Sequence, residues 1–191
     1  MQEMEIMDIF SKTGAYQQGH FKLSSGLHSG AYLQCALILQ NPVLAARLCG
    51  VLAKKFRADE PDIIIGPAMG GIVLAYELAR ALNCQAIFTE RDAQGRMQLR
   101  RGFKVFPDSK VLIAEDVLTT GKSVKEVLSL LQEDGIRPAG IACLVDRSAG
   151  SIDFNGIKCE SLIKLDVPAF EEENCPLCQE GIPIVKPGSR K

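Results

Sequence analysis

The stretch Val111-Leu-Ile-Ala-Glu-Asp-Val-Leu-Thr-Thr-Gly-Lys-Ser123 constrains this chain more than any other. Four consecutive apolar residues, Val111 to Ala114, suit a strand in a parallel sheet that is covered on both faces. Two adjacent carboxylates, Glu115 and Asp116, follow at once, and then a hydroxyl-and-glycine turn opens a helix. That helix spans about 121–134, with Val124, Val127, Leu128 and Leu131 on one face and Gly135 ending it. In an open α/β sheet, ligands sit at the carboxyl ends of strands, where this turn falls. Free backbone N–H groups at the helix start, with the hydroxyls of Thr119, Thr120 and Ser123, would cradle a phosphate dianion. The acids just upstream would repel that phosphate, so they face something else, such as sugar hydroxyls or Mg²⁺.

Gly121-Lys122-Ser123 matches the end of a nucleotide triphosphatase P-loop, but the position that needs the earlier glycine is Asp116, so that reading fails. The rest of the chain supports an α/β fold. Residues 4–13 predict a short amphipathic helix with Met4, Ile6, Met7 and Phe10 on its apolar face, and 19–35 predict a hairpin-like excursion. Asn41 and Pro42 start a helix in which Leu44, Leu48, Val51, Leu52 and Phe56 recur at helical spacing. Asp62 to Gly66 is a short buried strand, followed by a helix with Ile72, Ala75, Tyr76 and Ala79 on one face. Strands at 86–89 and 141–145 flank an arginine-rich loop at 91–101 and the central motif. Alternating strands and helices predict βαβ units in an open, mostly parallel, twisted sheet flanked by helices. After Val167 the prolines and Glu171-Glu-Glu173 mark an irregular tail.

Charge and length narrow the function. The 191 residues carry 22 Lys+Arg against 23 Asp+Glu, a net charge of −1, which gives no general pull toward nucleic acid or anionic membrane. The length suits one domain. The uncharged stretch Ser29 to Val43 is broken by Gln34, Gln40, Asn41 and Pro42, so no transmembrane helix is expected. Glu3, Glu5 and Asp8 stand where a signal peptide would be basic and then apolar, and the expectation is a cytoplasmic protein. Seven cysteines, an odd number, fit reduced thiols. Cys175-Pro-Leu-Cys178 supplies half a zinc site or a redox pair, but no second CxxC and no neighbouring histidine in the sequence completes it, and it reads as structural or incidental.

The central stretch resembles the phosphoribosyl-pyrophosphate (PRPP) signature of type I phosphoribosyltransferases. His20-Phe-Lys-Leu-Ser-Ser-Gly-Leu-His-Ser29, Gly66-Pro-Ala-Met-Gly-Gly71, Asp146-Arg147 and Cys175-Pro-Leu-Cys178 extend the likeness to the orotate phosphoribosyltransferase family, in a bacterial group with this cysteine-containing tail. The resemblance implies a single domain over 1–191, with a core at about 41–149 and a hood from about 1–40 and 150–191. It implies transfer of phosphoribose from PRPP to orotate in pyrimidine biosynthesis. It also implies a Mg²⁺ requirement, with the ion carried mainly by PRPP oxygens rather than by a protein metal site, and a homodimer.

The resemblance assigns Glu115, Asp116 and Arg91 to catalysis, and Glu115, Asp116, Val117, Leu118, Thr119, Thr120, Gly121, Lys122 and Ser123 to PRPP. Thr119 and Arg147 fall to orotate, Gly66 to Gly71 to the pyrophosphate side, and His20 to Ser29 to a hood over the base. On its own residues, Arg147 could equally form a surface ion pair with Asp146, and His28 could be a surface polar residue. Glu90 to Gly102 resembles the family's mobile loop, which closes over the neighbouring subunit's site. It departs from the commoner pattern, with Arg91, Arg96, Arg100 and Arg101 and neither Lys nor His. Gly70 and Ser24 likewise stand where many relatives have lysine. Arginine can neutralise pyrophosphate, but it cannot act as a general acid at neutral pH. Two other functions remain possible on the residues alone: a phosphoribosyltransferase for purines or another base, and a PRPP-sensing regulator that binds nucleic acid. The regulator would want a broad basic face, and the chain offers one basic loop with Lys186, Arg190 and Lys191.

Overall fold

The computed structural model describes residues 1–23 and 25–187; Ser24, Arg190 and Lys191 lie outside the described residues. Two sheets organise the chain. The larger has six strands in the order β5-β4-β3-β6-β7-β8, namely β3 (Ile63–Pro67), β4 (Gln85–Arg91), β5 (Met97–Leu99), β6 (Val111–Leu118), β7 (Gly140–Asp146) and β8 (Cys159–Lys164). All neighbours pair in parallel except β4 with β5, which form an antiparallel hairpin. The smaller sheet is antiparallel, β1 (Tyr16–Lys22), β2 (His28–Leu33) and β9 (Ala169–Phe170), in the order β1-β2-β9. The helices are α1 (Glu3–Lys12), α2 (Ala36–Leu39), α3 (Pro42–Ala53), α4 (Gly70–Leu82), α5 (Lys122–Glu133) and α6 (Pro176–Gln179).

The central strands are apolar on both sides because both sides are covered. Ile64, Leu112, Ala114, Ala142 and Leu144 face one cluster with α1, α3 and α4. Ile63, Ile65, Val111, Ile113, Ile141 and Cys143 face the other, with Val124, Val127 and Leu131 of α5. The continuous hydrophobic run thus reports a two-sided burial that alternation would not allow. Caps follow the sequence: the Asn41 side chain accepts from the N–H groups of Val43 and Leu44 at 3.0 and 3.2 Å, with Pro42 behind it.

Four expectations need correction. On α1, Ile9 replaces Met4 in the core, and Met4 is exposed. On α4 the buried face is Gly71, Leu74, Ala75, Leu78 and Ala79, leaving Tyr76 exposed and Ile72 half-buried. That helix is apolar nearly all round, so its period is ambiguous. The choice is made by glycine contact, since a Cβ on Gly66 would lie 2.2 Å from the Gly71 carbonyl oxygen. Third, β8 is the edge strand of the large sheet, so Cys159–Lys164 belongs to the core sheet rather than to the hood. Its polar Glu160 and Lys164 conceal a strand that has only one neighbour.

The fourth correction concerns the tail. Beyond β9 it runs back along β1, where Lys22 N–H donates to Val185 O at 2.9 Å and Val185 N–H to His20 O at 2.8 Å. This brings Cys175 and Cys178 against His20 and His28, so the histidines that no sequence neighbour supplied are supplied in space. His28 is 2% exposed and is not a surface residue.

Candidate active site

The order of the large sheet reverses between β3 and β6. From β3 the chain moves outward to β4, and from β6 it moves the other way to β7 and β8. A crevice opens at such a switch point beyond the carboxyl ends of the strands. Its walls are the Gly66–Gly71 turn after β3, the acids and turn of β6, and Arg147 after β7.

The strand runs through the acids rather than stopping at Ala114. Glu115 is buried and pairs across to Cys143, while Asp116 is half-buried. Burial first, and then the neighbouring Asp116 charge, push the Glu115 carboxyl up to about 8; a hydrogen bond from Ser123 on α5 works in the opposite direction. A folded-state value near 8, against 4.5 for the free side chain, has a definite sign. The folded chain holds a proton that the unfolded chain releases first, so this stability is full below the lower value and is lost as pH rises through the higher one. Glu115→Gln should therefore flatten the fall of Tm between pH 5 and 9 and exceed the parent's Tm at the alkaline end. Parallel profiles in thermal melts would mean that Glu115 stays ionised throughout.

The glycines opposite are required by contact. A Cβ on Gly70 would sit 2.6 Å from the Asp116 carboxylate, and one on Gly71 would sit 2.6 Å from Ala114 O. The turn therefore lies directly on the acidic strand, and any side chain at position 70 would displace the Asp116 carboxylate. The Ala68–Met69 peptide within it is cis, and Ala68 N–H donates to Thr89 O at 2.8 Å.

Thr119 and Thr120 are exposed where β6 gives way to α5. Gly121 caps α5 at φ +70°, a left-handed conformation in which glycine carries no penalty. A side chain there would also meet Ile152 and Phe154 at 3.1 Å. The first-turn N–H groups of α5 have no carbonyl partner within the helix, and that of Lys122 is 3.4 Å from Thr120 Oγ1. Lys122 is exposed and Ser123 half-buried. Val117 and Leu118 contribute backbone: Val117 N–H donates to Asp116 Oδ1 at 2.8 Å, and Leu118, 2% exposed, puts its side chain in the core.

Arg147 is tied to the same strand end, its N–H donating to Leu118 O at 2.7 Å. The ion pair with Asp146 does not form. Asp146 Oδ1 accepts instead from Ser148 N–H at 2.8 Å and Ser148 Oγ–H at 2.6 Å. The Arg147 guanidinium is half-buried; among the described residues Nε has no hydrogen-bond partner, and the guanidinium's one hydrogen bond is from Nη2 to Val167 O at 3.4 Å. Burial lowers its pKa, with Tyr16 working in the opposite direction.

The arginine-rich segment is a hairpin. β4 continues through Arg91 and β5 returns at Met97–Leu99, so the turn is confined to Asp92 to Arg96. Each arginine has an acid of its own chain: Arg91 holds both carboxylate oxygens of Glu126 on α5, Arg96 holds Asp92 at 2.9 Å, and Arg100 and Arg101 share Glu90. The Glu126 bond raises the Arg91 pKa. Beside the Gly66–Gly71 turn the buried Thr89 Oγ1 has no hydrogen-bond partner among the described residues, which nothing in the local sequence foretells.

Known proteins share this chain's family and fold. A phosphoribosyl transferase domain model matches residues 36–172. The chain is 54% identical over 190 residues to the orotate phosphoribosyltransferase of Carboxydothermus hydrogenoformans, covering 98% of each chain. It is 50% identical over 191 residues to that of Caldicellulosiruptor bescii, covering 100% of each. Among solved structures, the orotate phosphoribosyltransferase of Aeropyrum pernix superposes with a TM-score of 0.71 at 24% identity, over 84% of this chain and 93% of the other, a likeness of fold.

Proposed function

The chain belongs to the orotate phosphoribosyltransferase family and transfers the 5-phosphoribosyl group of PRPP to orotate, releasing pyrophosphate, and we propose how its residues divide that work. The observation that carries the division is Arg147, a half-buried guanidinium without an acid, fastened to the end of the acidic strand. Orotate brings a carboxylate, and a planar guanidinium can grip it bidentately. Thr119, one residue past Leu118, adds a hydroxyl on the same side.

The ribose lies over the acids. As the C1–oxygen bond to pyrophosphate breaks, positive charge builds on the sugar; the Asp116 carboxylate offsets that charge, and Glu115, which keeps its proton at neutral pH, helps to hold the sugar hydroxyls. Groups preorganised toward developing charge need no reorganisation at the moment of reaction. Thr119 to Ser123 and the start of α5 hold the 5′-phosphate. The Gly66–Gly71 turn receives the pyrophosphate on backbone N–H groups. Mg²⁺ fits the oxygen donors present, because Asp116 keeps a half-exposed carboxylate beside a glycine with no side chain. When bound, it neutralises phosphate charge, with PRPP oxygens and water as most of its ligands.

The loop arginines close over the leaving pyrophosphate. Their present partners are partly exposed ion pairs, worth about 0–1 kcal/mol each, so exchanging them for phosphate oxygens costs little. The protein acts as a homodimer with residues 91–101 serving the partner's site. The exposed apolar face formed by Met69, Val73 and Tyr76 supports an interface beside that crevice. Seven free cysteines fit a reducing, cytoplasmic setting, and among the described residues no helix is long and apolar enough to cross a membrane.

Mixing two inactive variants tests the crossing. Asp116→Asn removes the charge that faces the sugar, and Arg91→Ala with Arg100→Ala and Arg101→Ala removes the loop's cations. Random reassociation should restore about a quarter of the parent rate, since half the dimers are hybrids with one intact composite site. No recovery in proven hybrids would place the loop on its own subunit's site.

A further inference from the structure

We propose that His20 Nε2, His28 Nδ1, Cys175 Sγ and Cys178 Sγ bind one Zn²⁺ in a closed structural site that staples the C-terminal tail to the β1–β2 hairpin. The four atoms converge from three parts of the chain and lie within 4.8 Å of one another. His20 Nε2 is 3.1 Å from His28 Nδ1, 3.5 Å from Cys175 Sγ and 3.7 Å from Cys178 Sγ, and His28 Nδ1 is 3.2 Å from Cys178 Sγ. A tetrahedral zinc ion with Zn–N of about 2.0–2.1 Å and Zn–S of about 2.3 Å sets its ligand atoms about 3.3–3.8 Å apart. These four contacts match that spacing to within a few tenths of an ångström, and the remaining two pairs lie within 4.8 Å.

The protonation pattern also calls for a cation. His20 Nδ1 lies 2.7 Å from Ile182 O, a pure acceptor, so Nδ1 carries the hydrogen and Nε2 presents a lone pair to the cluster. His28 Nε2 is buried without a hydrogen-bond partner among the described residues and faces the Glu172 carboxylate at 3.8 Å, which favours hydrogen on that nitrogen and a second lone pair at Nδ1. Two lone pairs then oppose each other across 3.1 Å. A metal ion between them removes the conflict, and the outer contacts of both rings become the carbonyl and carboxylate that commonly orient ligating histidines. Two thiolates with two imidazoles in a tetrahedral array select zinc, and four protein ligands leave no open position for chemistry.

The tail has need of such a tie. Ile182, Ile184 and Val185 are exposed, Cys175 is the one fully buried apolar residue among the tail's described residues, and β9 is two residues long. Elements with so little apolar burial are commonly held by metals or disulfides. The ion would join residue 20 to residue 178 and fix the tail against the β1–β2 hairpin.

Metal analysis of the chain purified without chelator should find about one zinc per chain, falling below about a tenth in Cys175→Ser/Cys178→Ser and in His28→Asn. Co²⁺ exchanged into the parent should give intense visible d–d bands and a thiolate-to-cobalt charge-transfer band, both absent from the double variant. Removing the metal should lower Tm, and Zn²⁺ should restore it. Parent protein without zinc that yields no tetrahedral cobalt spectrum would overturn the proposal whatever the variants do. A Cys175–Cys178 disulfide in protein isolated with reductant, or iron in place of zinc, would overturn it as well.

Discussion

Asp116→Asn lowers kcat by about 10²–10³-fold while leaving Tm equal to or above that of the parent. The substitution is isosteric and keeps an oxygen to accept the Val117 N–H bond, so the strand end holds its shape. What it removes is the charge facing the sugar at the moment C1 becomes cationic. It also removes a repulsion inside the fold, because the Asp116 charge is the second cause of the raised Glu115 pKa. Loss of activity and gain of stability should therefore part company. Equal losses of kcat and Tm, measured by steady-state kinetics and thermal melts on the same preparation, would make the acid a structural element.

Arg147→Ala raises KM for orotate by about 30-fold or more and leaves KM for PRPP nearly unchanged. Truncating one side of a desolvated charge pair costs about 2–5 kcal/mol, and here the other side is the orotate carboxylate. Stability again moves oppositely. Arg147 is half-buried with an unpartnered Nε, so the folded chain bears a desolvation cost that alanine relieves. Lysine at this position keeps the charge but not the fork, and should recover only part of the orotate affinity. Equal rises in both KM values, or a fall in Tm matching the loss of affinity, would take Arg147 out of the base site.

How far the sequence reaches can be judged residue by residue. The apolar run at 111–114, the Asn41-Pro42 cap and the Gly121 turn are local features whose chemistry is complete within a few residues, and each sits where its neighbours in sequence imply. The periodicity of α4 misleads at Tyr76 because an all-round apolar helix leaves its buried face to the sheet it meets. The hairpin at Glu90 to Leu99 reads as loop because its arginines are polar, and only the pairing of Arg91 with Met97 reveals the strand.

The sequence alone determined the α/β class, the phosphate-cradling turn and the pair of acids ahead of it, because strand burial, glycine turns and helix starts are short-range matters. The tertiary structure alone decided which charges are free. It turned Asp146 onto Ser148 and left Arg147 without an acid, it gave each loop arginine an intrachain partner, and it carried two cysteines across more than 140 residues of chain to two histidines. The physical reason is the same in each case: charge pairing and metal ligation depend on distances of a few ångströms between residues far apart in sequence, and only the folded packing sets those distances.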